Sequence, residues 1–214
     1  MQPNNYDHVS GIYEPLARLI FGSALSDSQF SFLPYNFPGP RIAIVGGGAG
    51  TILEELGKLK TAPLSITFIE ISEKMLRKAK KKNVGCHKIK FVHGDVEQFK
   101  ADDSFDVVIT PFLFDNFTAD KAKRVFNHLN GMLPIGGIWL FTDFYISVES
   151  PVWQKFLLTL MYCFFKILAR VEANQLPDMA SLFAEAAYNC EQEHFFYSNF
   201  IRSALYHKTG PVNL

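Results

Sequence analysis

The sequence lacks the features that mark several classes of protein. Its cysteines, Cys86, Cys163 and Cys190, lie far apart and form no C-x-x-C pair, so neither a zinc site nor a disulfide framework is predicted. The histidines are scattered without metal-ligand spacing, and we expect no metal. No basic segment followed by an apolar run opens the chain. We therefore expect no secretory signal and a cytoplasmic location.

Net charge and long apolar runs are also missing. Lys and Arg together number 21, as do Asp and Glu, so we expect no broad basic surface for nucleic acid. The most apolar stretch, residues 156–169, contains Lys166 and is shorter than the ~20 residues that span a bilayer. We predict no transmembrane segment and interpret this stretch as a core or cleft-lining helix.

The remaining composition is typical of one globular domain. The chain has 214 residues, of which 48% are hydrophobic and 20% charged, which is enough for a single core. Residues 1–40 are rich in aromatic side chains and end in a Pro- and Gly-rich break. We predict a helix over residues 13–25 and a shorter one over 27–33. This segment forms either a lid over a cleft or a helix pair packed on a sheet edge, and residues 41–214 form the domain.

One glycine-rich stretch organises the domain. Residues 42–45 are apolar and β-branched, which indicates a buried strand, and four glycines follow between Gly46 and Gly50. Ile52, Leu53, Leu56 and Leu59 then mark one face of a helix. A glycine turn between a strand and a helix lets the backbone approach a ligand closely, and the helix N-terminus suits an anion. The alternative is a merely tight turn.

The spacing of the glycines separates two classes of nucleotide site. A dinucleotide site needs G-x-G-x-x-G, but Thr51 stands at the last position, which leaves an NAD-dependent oxidoreductase as a minor alternative. The observed G-x-G-x-G resembles the first motif of the class I S-adenosylmethionine-dependent methyltransferases. This resemblance implies that the loop wraps the methionine end of the cofactor, with cofactor contacts from Gly46, Gly47, Gly48, Gly50 and Thr51. The family usually has an acid where this chain has Ile44.

Glu70 follows the second predicted strand, residues 65–69. A carboxylate at that strand tip can accept hydrogen bonds from both ribose hydroxyls of an adenosine, which supports adenosine without choosing the reaction. The alternative is a surface acid, and in either case we expect Glu70 to be exposed. The run over residues 68–75 resembles the family's second motif, and the resemblance implies that Ile71 and Met75 flank the adenine.

Gly94-Asp95-Val96 follows the third predicted strand, residues 89–93. It matches the Gly-Asp motif of the methyltransferase family. The resemblance implies that Asp95 accepts a hydrogen bond from the adenine amino group and that the Val96 N–H meets a ring nitrogen. Alternatively, Asp95 simply caps the next helix.

Candidate catalytic residues follow the fourth and fifth predicted strands, residues 105–110 and 138–143. The resemblance places a residue that touches the cofactor at Thr110. Asp115 is a candidate base or substrate anchor, or else a loop cap, and Tyr145 is a second weak candidate at the ligand-binding edge of the sheet. No catalytic triad is evident, and none is needed, because methyl transfer can depend largely on positioning.

The rest of the chain completes an α/β pattern. We predict helices from about Thr118, from Ser150-Pro151 and over residues 178–190, with apolar positions at core spacing in residues 156–168. Two closing strands, residues 193–197 and 200–208, predict a C-terminal antiparallel hairpin. The expected fold is a doubly wound, mostly parallel seven-stranded sheet, the Rossmann-like methyltransferase fold.

The function implied by the resemblance is methyl transfer from S-adenosyl-L-methionine, which leaves S-adenosyl-L-homocysteine. The aromatic N-terminal segment and the Phe-rich helix favour a small, apolar or aromatic acceptor, and we expect no nucleic-acid partner. A homodimer is one assembly that we consider. The alternative function is an inactive cofactor-binding relative that serves as a partner subunit, because Ile44 replaces the usual acid.

Overall fold

The computed structural model describes residues 13–33, 35–168 and 173–210. The helices of this part of the chain are α1 Tyr13–Phe21, α2 Ala24–Phe30, α3 Thr51–Leu56, α4 Glu73–Ala79, α5 Ala119–Met132, α6 Val152–Leu168 and α7 Met179–Glu185. The strands are β1 Arg41–Val45, β2 Ser65–Glu70, β3 Lys88–His93, β4 Val107–Pro111, β5 Ile138–Phe144, β6 Tyr188–Phe196 and β7 Ile201–Lys208. Short 3-10 turns follow β3 and β4, at Val96–Gln98 and Phe114–Asn116.

The seven strands form one sheet in the order β3-β2-β1-β4-β5-β7-β6. The pairs from β3 to β5 are parallel, whereas β7 is antiparallel to both β5 and β6. The predicted doubly wound, mostly parallel sheet with its antiparallel hairpin is confirmed. Strand order reverses next to β1, and ligands of such sheets bind at the carboxyl ends of strands near that point.

Both faces of the inner strands β1, β4 and β5 are buried, as their nearly continuous apolar runs predict. Along β1, Ala43 and Val45 join one core cluster, and Ile42 and Ile44 join the cluster on the other face. This alternation follows from the two-residue period of a strand. The position that holds an acid in the family, Ile44, is therefore a fully buried core position.

The N-terminal helices differ from the prediction. A single helix over residues 13–25 was expected, but α1 ends at Phe21 and α2 begins at Ala24. Gly22 separates them with a left-handed φ of 59°, and its N–H donates to the Arg18 carbonyl at 2.9 Å. This is a common way for a glycine to end a helix. The first twelve residues of the predicted lid segment lie outside the described residues.

The predicted helix over residues 178–190 is too long at its C-terminal end. Helix α7 ends at Glu185, Ala187 has a φ of 56°, and Tyr188 begins β6. The Tyr188 ring is buried against the rings of Phe183 and Trp139. Pairing with β7 therefore competes successfully with the helical spacing of the sequence.

Helix α6, interpreted from the sequence as a core or cleft-lining helix, is only partly buried, and none of its described residues lines either of the two cavities reported below. Phe156 and Leu160 are 69% and 54% exposed, whereas Leu157 and Met161 pack against the cluster that contains Phe144. The helix therefore buries one stripe and leaves a second apolar stripe exposed. In the described part of the chain, no helix combines the length and apolar character needed to cross a membrane.

Candidate active site

A cavity of about 770 Å³ lies at the carboxyl ends of β1, β2, β3 and β4. Residues of α1 and α2 close its opposite side, among them Arg18, Leu25 and Gln29. The cavity brings together most of the residues singled out in the sequence: Gly46, Gly47, Gly48, Thr51, Glu70, Ile71, Met75, Asp95, Val96 and Asp115.

The glycine turn after β1 has a backbone that other residues rarely adopt. Gly46, Gly48 and Gly50 have φ values of 73°, 57° and 79°, in the left-handed region that favours glycine. An added Cβ on Gly48 would meet no atom within 4 Å, because this residue faces the open cavity. The turn therefore presents bare backbone to a ligand.

Gly47 supports the turn from behind and yields a stability prediction. A Cβ at this position would lie 2.4 Å from Cε2 of Phe68 and 3.1 Å from Cγ2 of Ile44. We expect Gly47→Ala to lower the free energy of unfolding by about 1–3 kcal/mol, the usual cost of overpacking a core. Gly131→Ala is the control, because an added Cβ in that helix meets nothing within 4 Å, and it should be neutral or stabilising. Urea unfolding compares the two, and equal stability of Gly47→Ala and wild type would contradict the packing argument.

Glu70 is buried, which corrects the expectation of an exposed acid. Only 6% of its surface is exposed. Its Oε2 accepts a hydrogen bond from the Gly48 N–H at 2.9 Å, and its Oε1 accepts one from the Ser72 N–H at 2.8 Å. Burial raises the pKa of Glu70, while the backbone N–H donors act in the opposite direction. The carboxylate therefore ties the glycine turn to the start of α4 while it lines the cavity.

The sequence left two roles open for Asp95, a cap of the next turn and a contact with the adenine, and its position in the structure allows both. Its Oδ1 accepts a hydrogen bond from the Glu97 N–H at 3.0 Å, which caps the 3-10 turn, and the residue also lines the cavity. Its Oδ2 lies 3.4 Å from Nζ of Lys121. Lys121 of α5 lines the same cavity and was missed in the sequence, where it is one of several lysines without a motif.

Three predicted site residues do not line this cavity. Thr110 is fully buried, and its Oγ1 accepts a hydrogen bond from Nε1 of Trp139 at 2.9 Å, so its side chain belongs to the core. Gly50 is buried as the N-cap of α3. Tyr145 lies beside a separate cavity of about 280 Å³, where its ring packs against Phe195.

Two acids lie close together where β4 and β5 end. Asp143 is 3% exposed; its Oδ2 accepts hydrogen bonds from the N–H groups of Phe114 and Asp115 at 3.0 and 3.2 Å, and its Oδ1 accepts one from Phe144 at 2.8 Å. Asp115 accepts a hydrogen bond from the Asn116 side-chain amide at 2.5 Å. Burial raises the pKa of both acids, and the neighbouring Asp143 charge further raises the pKa of Asp115.

A comparison with protein families identifies the domain. A family model described as a methyltransferase domain matches residues 42–137, a segment that contains the glycine turn, Glu70, Asp95 and Asp115. The matched segment is a methyltransferase domain, and its motifs resemble those of the class I S-adenosylmethionine-dependent methyltransferases. The cofactor of this methyltransferase family is S-adenosylmethionine, as the resemblance of the motifs implied.

A curated relative of this chain is malonyl-acyl-carrier-protein O-methyltransferase 2 of Ilyobacter polytropus. It is 29% identical over 140 residues, which cover 65% of this chain and 49% of the relative. The chain therefore spans about half the length of that relative.

Solved structures agree with the fold of the methyltransferase domain. Mitomycin 7-O-methyltransferase superposes with a TM-score of 0.68 at 17% identity, over 96% of this chain and 61% of that one. Magnesium protoporphyrin IX methyltransferase from Synechocystis PCC 6803, with bound S-adenosylhomocysteine, gives a TM-score of 0.61 at 16% identity, over 86% of this chain and 82% of that one. At these identities the likeness concerns the fold alone.

Proposed function

We propose that this chain transfers a methyl group from S-adenosylmethionine to a small, apolar or aromatic acceptor. The observation that carries the proposal is the cavity, which joins an open glycine turn to acids at the ends of neighbouring strands. When bound, S-adenosylmethionine supplies a methyl group activated by a positively charged sulfur. The residues present suit this cofactor, because the bare turn admits its methionine end and the acids offer acceptors for an adenosine.

The cofactor contacts follow from the order of the strands. The glycine turn after β1 would hold the methionine end, and Glu70 at the end of β2 would accept hydrogen bonds from the ribose hydroxyls. Ile71 and Met75 would enclose the adenine, and Asp95 after β3 would accept from its amino group. Each side chain lines the cavity, and the two acids retain lone pairs beyond those used by the backbone.

The acceptor would occupy the part of the cavity nearest to β4 and the N-terminal helices. Its walls there include Leu25, Phe112, Leu113 and Phe117, which favours an acceptor with an apolar body. Helix α2 packs on β7 and α3, so residues 13–33 reach from the sheet edge to the cavity. We propose that this N-terminal segment acts as the lid that excludes water from the reaction.

Calorimetry tests the cofactor half of the proposal. We expect S-adenosylhomocysteine and S-adenosylmethionine to bind and NAD to show no heat of binding. Transfer of radiolabelled methyl groups to a small-molecule cell extract tests activity. Binding of NAD without binding of S-adenosylhomocysteine would favour the alternative function, an NAD-dependent oxidoreductase. Cofactor binding with no transfer to any extract would point to the inactive partner subunit, which the comparisons do not favour.

A further inference from the structure

Of the two neighbouring acids Asp115 and Asp143, Asp115 lines the acceptor side of the main cavity, and Asp143 lies behind it. Asp115 follows β4, whereas Glu70 and Asp95 follow β2 and β3, on the other side of the glycine turn. If the cofactor extends across β1, β2 and β3 as proposed above, Asp115 is the acid that remains for the acceptor.

The two acids of the pair have different surroundings. Asp143 accepts three backbone hydrogen bonds, from Phe114, Asp115 and Phe144, and these donors stabilise its charged form. Asp115 accepts its side-chain hydrogen bond from Asn116 and faces the charge of Asp143. Since a buried acid and an adjacent half-buried one resist ionising together, Asp143 ionises first and the last proton resides on Asp115.

A buried tyrosine hydroxyl of α6 lies within electrostatic range of the same two acids. The hydroxyl of Tyr162 is buried and has no hydrogen-bond partner within the described residues. Burial raises its pKa, and the charges of Asp115 and Asp143 raise it further, so the hydroxyl lies within electrostatic reach of both acids. An unpartnered buried hydroxyl costs stability. Its dipole can orient toward the nearby acids and stabilise their ionised forms.

Other charged groups frame the pair. Arg18 of α1, Glu70, Asp95 and Lys121 of α5 line the main cavity, and Lys121 is already engaged by Asp95 at 3.4 Å. On the other side of Asp143, the smaller cavity is lined by Asp178 and Arg202, and Arg202 pairs with Glu193 at 2.8 Å.

We propose that Asp115 is the general base of this methyltransferase, that its acceptor carries a neutral hydroxyl group, and that Asp143 and Tyr162 are positioning residues that set when Asp115 can take a proton. This inference rests on the proposed function. It adds the chemical class of the acceptor and a role for each acid.

The step balances without a further reactant. The acceptor oxygen forms a bond to the methyl carbon, and the methyl–sulfur bond breaks with its electron pair remaining on sulfur. The hydroxyl proton of the acceptor passes to an Oδ atom of Asp115, which then releases it to solvent. Asp143 stays ionised throughout and holds the Phe114–Asn116 turn that carries Asp115.

The part of the cavity lined by Asp115 favours an acceptor with a neutral hydroxyl over an anionic acceptor. A carboxylate needs no base and would be repelled by two neighbouring acids. An aromatic hydroxyl keeps its proton at neutral pH and requires a base to accept it as the new bond forms. A buried acid beside a second charge is a stronger base than an exposed one, which favours this transfer.

Matched probes test the acceptor class. We expect transfer of a methyl group from S-adenosylmethionine to 1-naphthol but not to 1-naphthylamine, which has the same shape with nitrogen in place of oxygen. Asp115→Asn should lower kcat by about 100-fold or more, as expected for loss of a general base, while affinity for S-adenosylhomocysteine stays unchanged. Asp102→Asn is the control, because Asp102 is an exposed acid paired with Lys90. Methylation of the amine alone, or full activity of Asp115→Asn, would overturn the inference.

The pH profile tests the positioning residues. The rate should rise with pH across the neutral range, as Asp115 loses its proton. Asp143→Asn removes a neighbouring charge, so the rise in rate should occur at lower pH. Tyr162→Phe removes a dipole that stabilises the ionised acids, so the rise should occur at higher pH. Carboxyl ¹³C NMR of Asp115 with S-adenosylhomocysteine bound should show the same shifts without turnover. A profile or an Asp115 titration that neither variant moves would overturn the roles of Asp143 and Tyr162.

Tyr162→Phe also separates a positioning role from a structural one. It should not lower the melting temperature, because the hydroxyl it removes has no partner. Tyr188→Phe is its control: that hydroxyl donates to Oδ1 of Asn130 at 3.0 Å, so its loss should destabilise the protein and leave the pH limb in place. Labelling of an extract without labelling of either naphthalene would overturn the hydroxyl acceptor and leave the methyltransferase function standing.

Discussion

Glu70→Ala should weaken binding of S-adenosylhomocysteine by about 100-fold, because two charge-assisted hydrogen bonds to the ribose are lost at about 1.5 kcal/mol or more each. The same change leaves the N–H groups of Gly48 and Ser72 without their acceptor. The glycine turn therefore loosens as well, and the free energy of unfolding should fall by about 1–3 kcal/mol. Calorimetry measures the first effect and urea unfolding the second.

Glu73→Ala is the matched control for this change. Glu73 lies three residues further along the chain, is exposed, and pairs with Arg77 at 3.5 Å across one helical turn. Such a surface pair contributes little to stability, so both binding and unfolding should match wild type. A Glu70→Ala protein with unchanged cofactor affinity would remove the ribose assignment, whatever its stability.

The protein should lose stability as the pH rises from about 5 to 8. The pKa of Asp143 is raised to about 7 and that of Asp115 is raised further, and exposed carboxyl groups of the unfolded chain ionise near pH 4. The folded protein therefore holds more protons than the unfolded one in this range. Each extra proton lowers the free energy of unfolding by about 1.4 kcal/mol per pH unit.

Urea unfolding at several pH values measures this slope. In Asp115→Asn the slope should fall by about half, because one of the two proton-retaining acids is gone while burial still raises the pKa of Asp143. Asp102→Asn should keep the wild-type slope, since that acid is exposed. Stability that rises between pH 5 and 8 in the wild-type protein would show that the pair is ionised without penalty.

Local sequence patterns were enough to predict the sheet and most of the residues that line the cavity. The bounds predicted for β1, β2, β3 and β5 agree with the structure to within one residue, because each strand is a short apolar run with a clear break after it. The carboxyl ends of neighbouring parallel strands meet at one edge, so residues that follow those strands, such as Glu70 and Asp95, were bound to lie together.

The remaining features depend on contacts between distant parts of the chain. The Thr110 side chain lies in the core, where its hydroxyl accepts a hydrogen bond from the indole N–H of Trp139, 29 residues away. Asp143 lies beside Asp115 because β4 and β5 are neighbours, and no local sequence pattern indicates that these two acids meet. The apolar spacing of α6 indicated burial but not which of its two apolar stripes faces the protein.

The position of β7 has a consequence for how the chain folds. This strand is the seventh in chain order but lies between β5 and β6 in the sheet. The edge of β5 that pairs with residues 201–208 therefore stays open from the synthesis of β5 until β7 has been made. Unpaired strand edges invite association with other chains. The nascent protein should be prone to association, and helped by chaperones, until β7 has emerged from the ribosome.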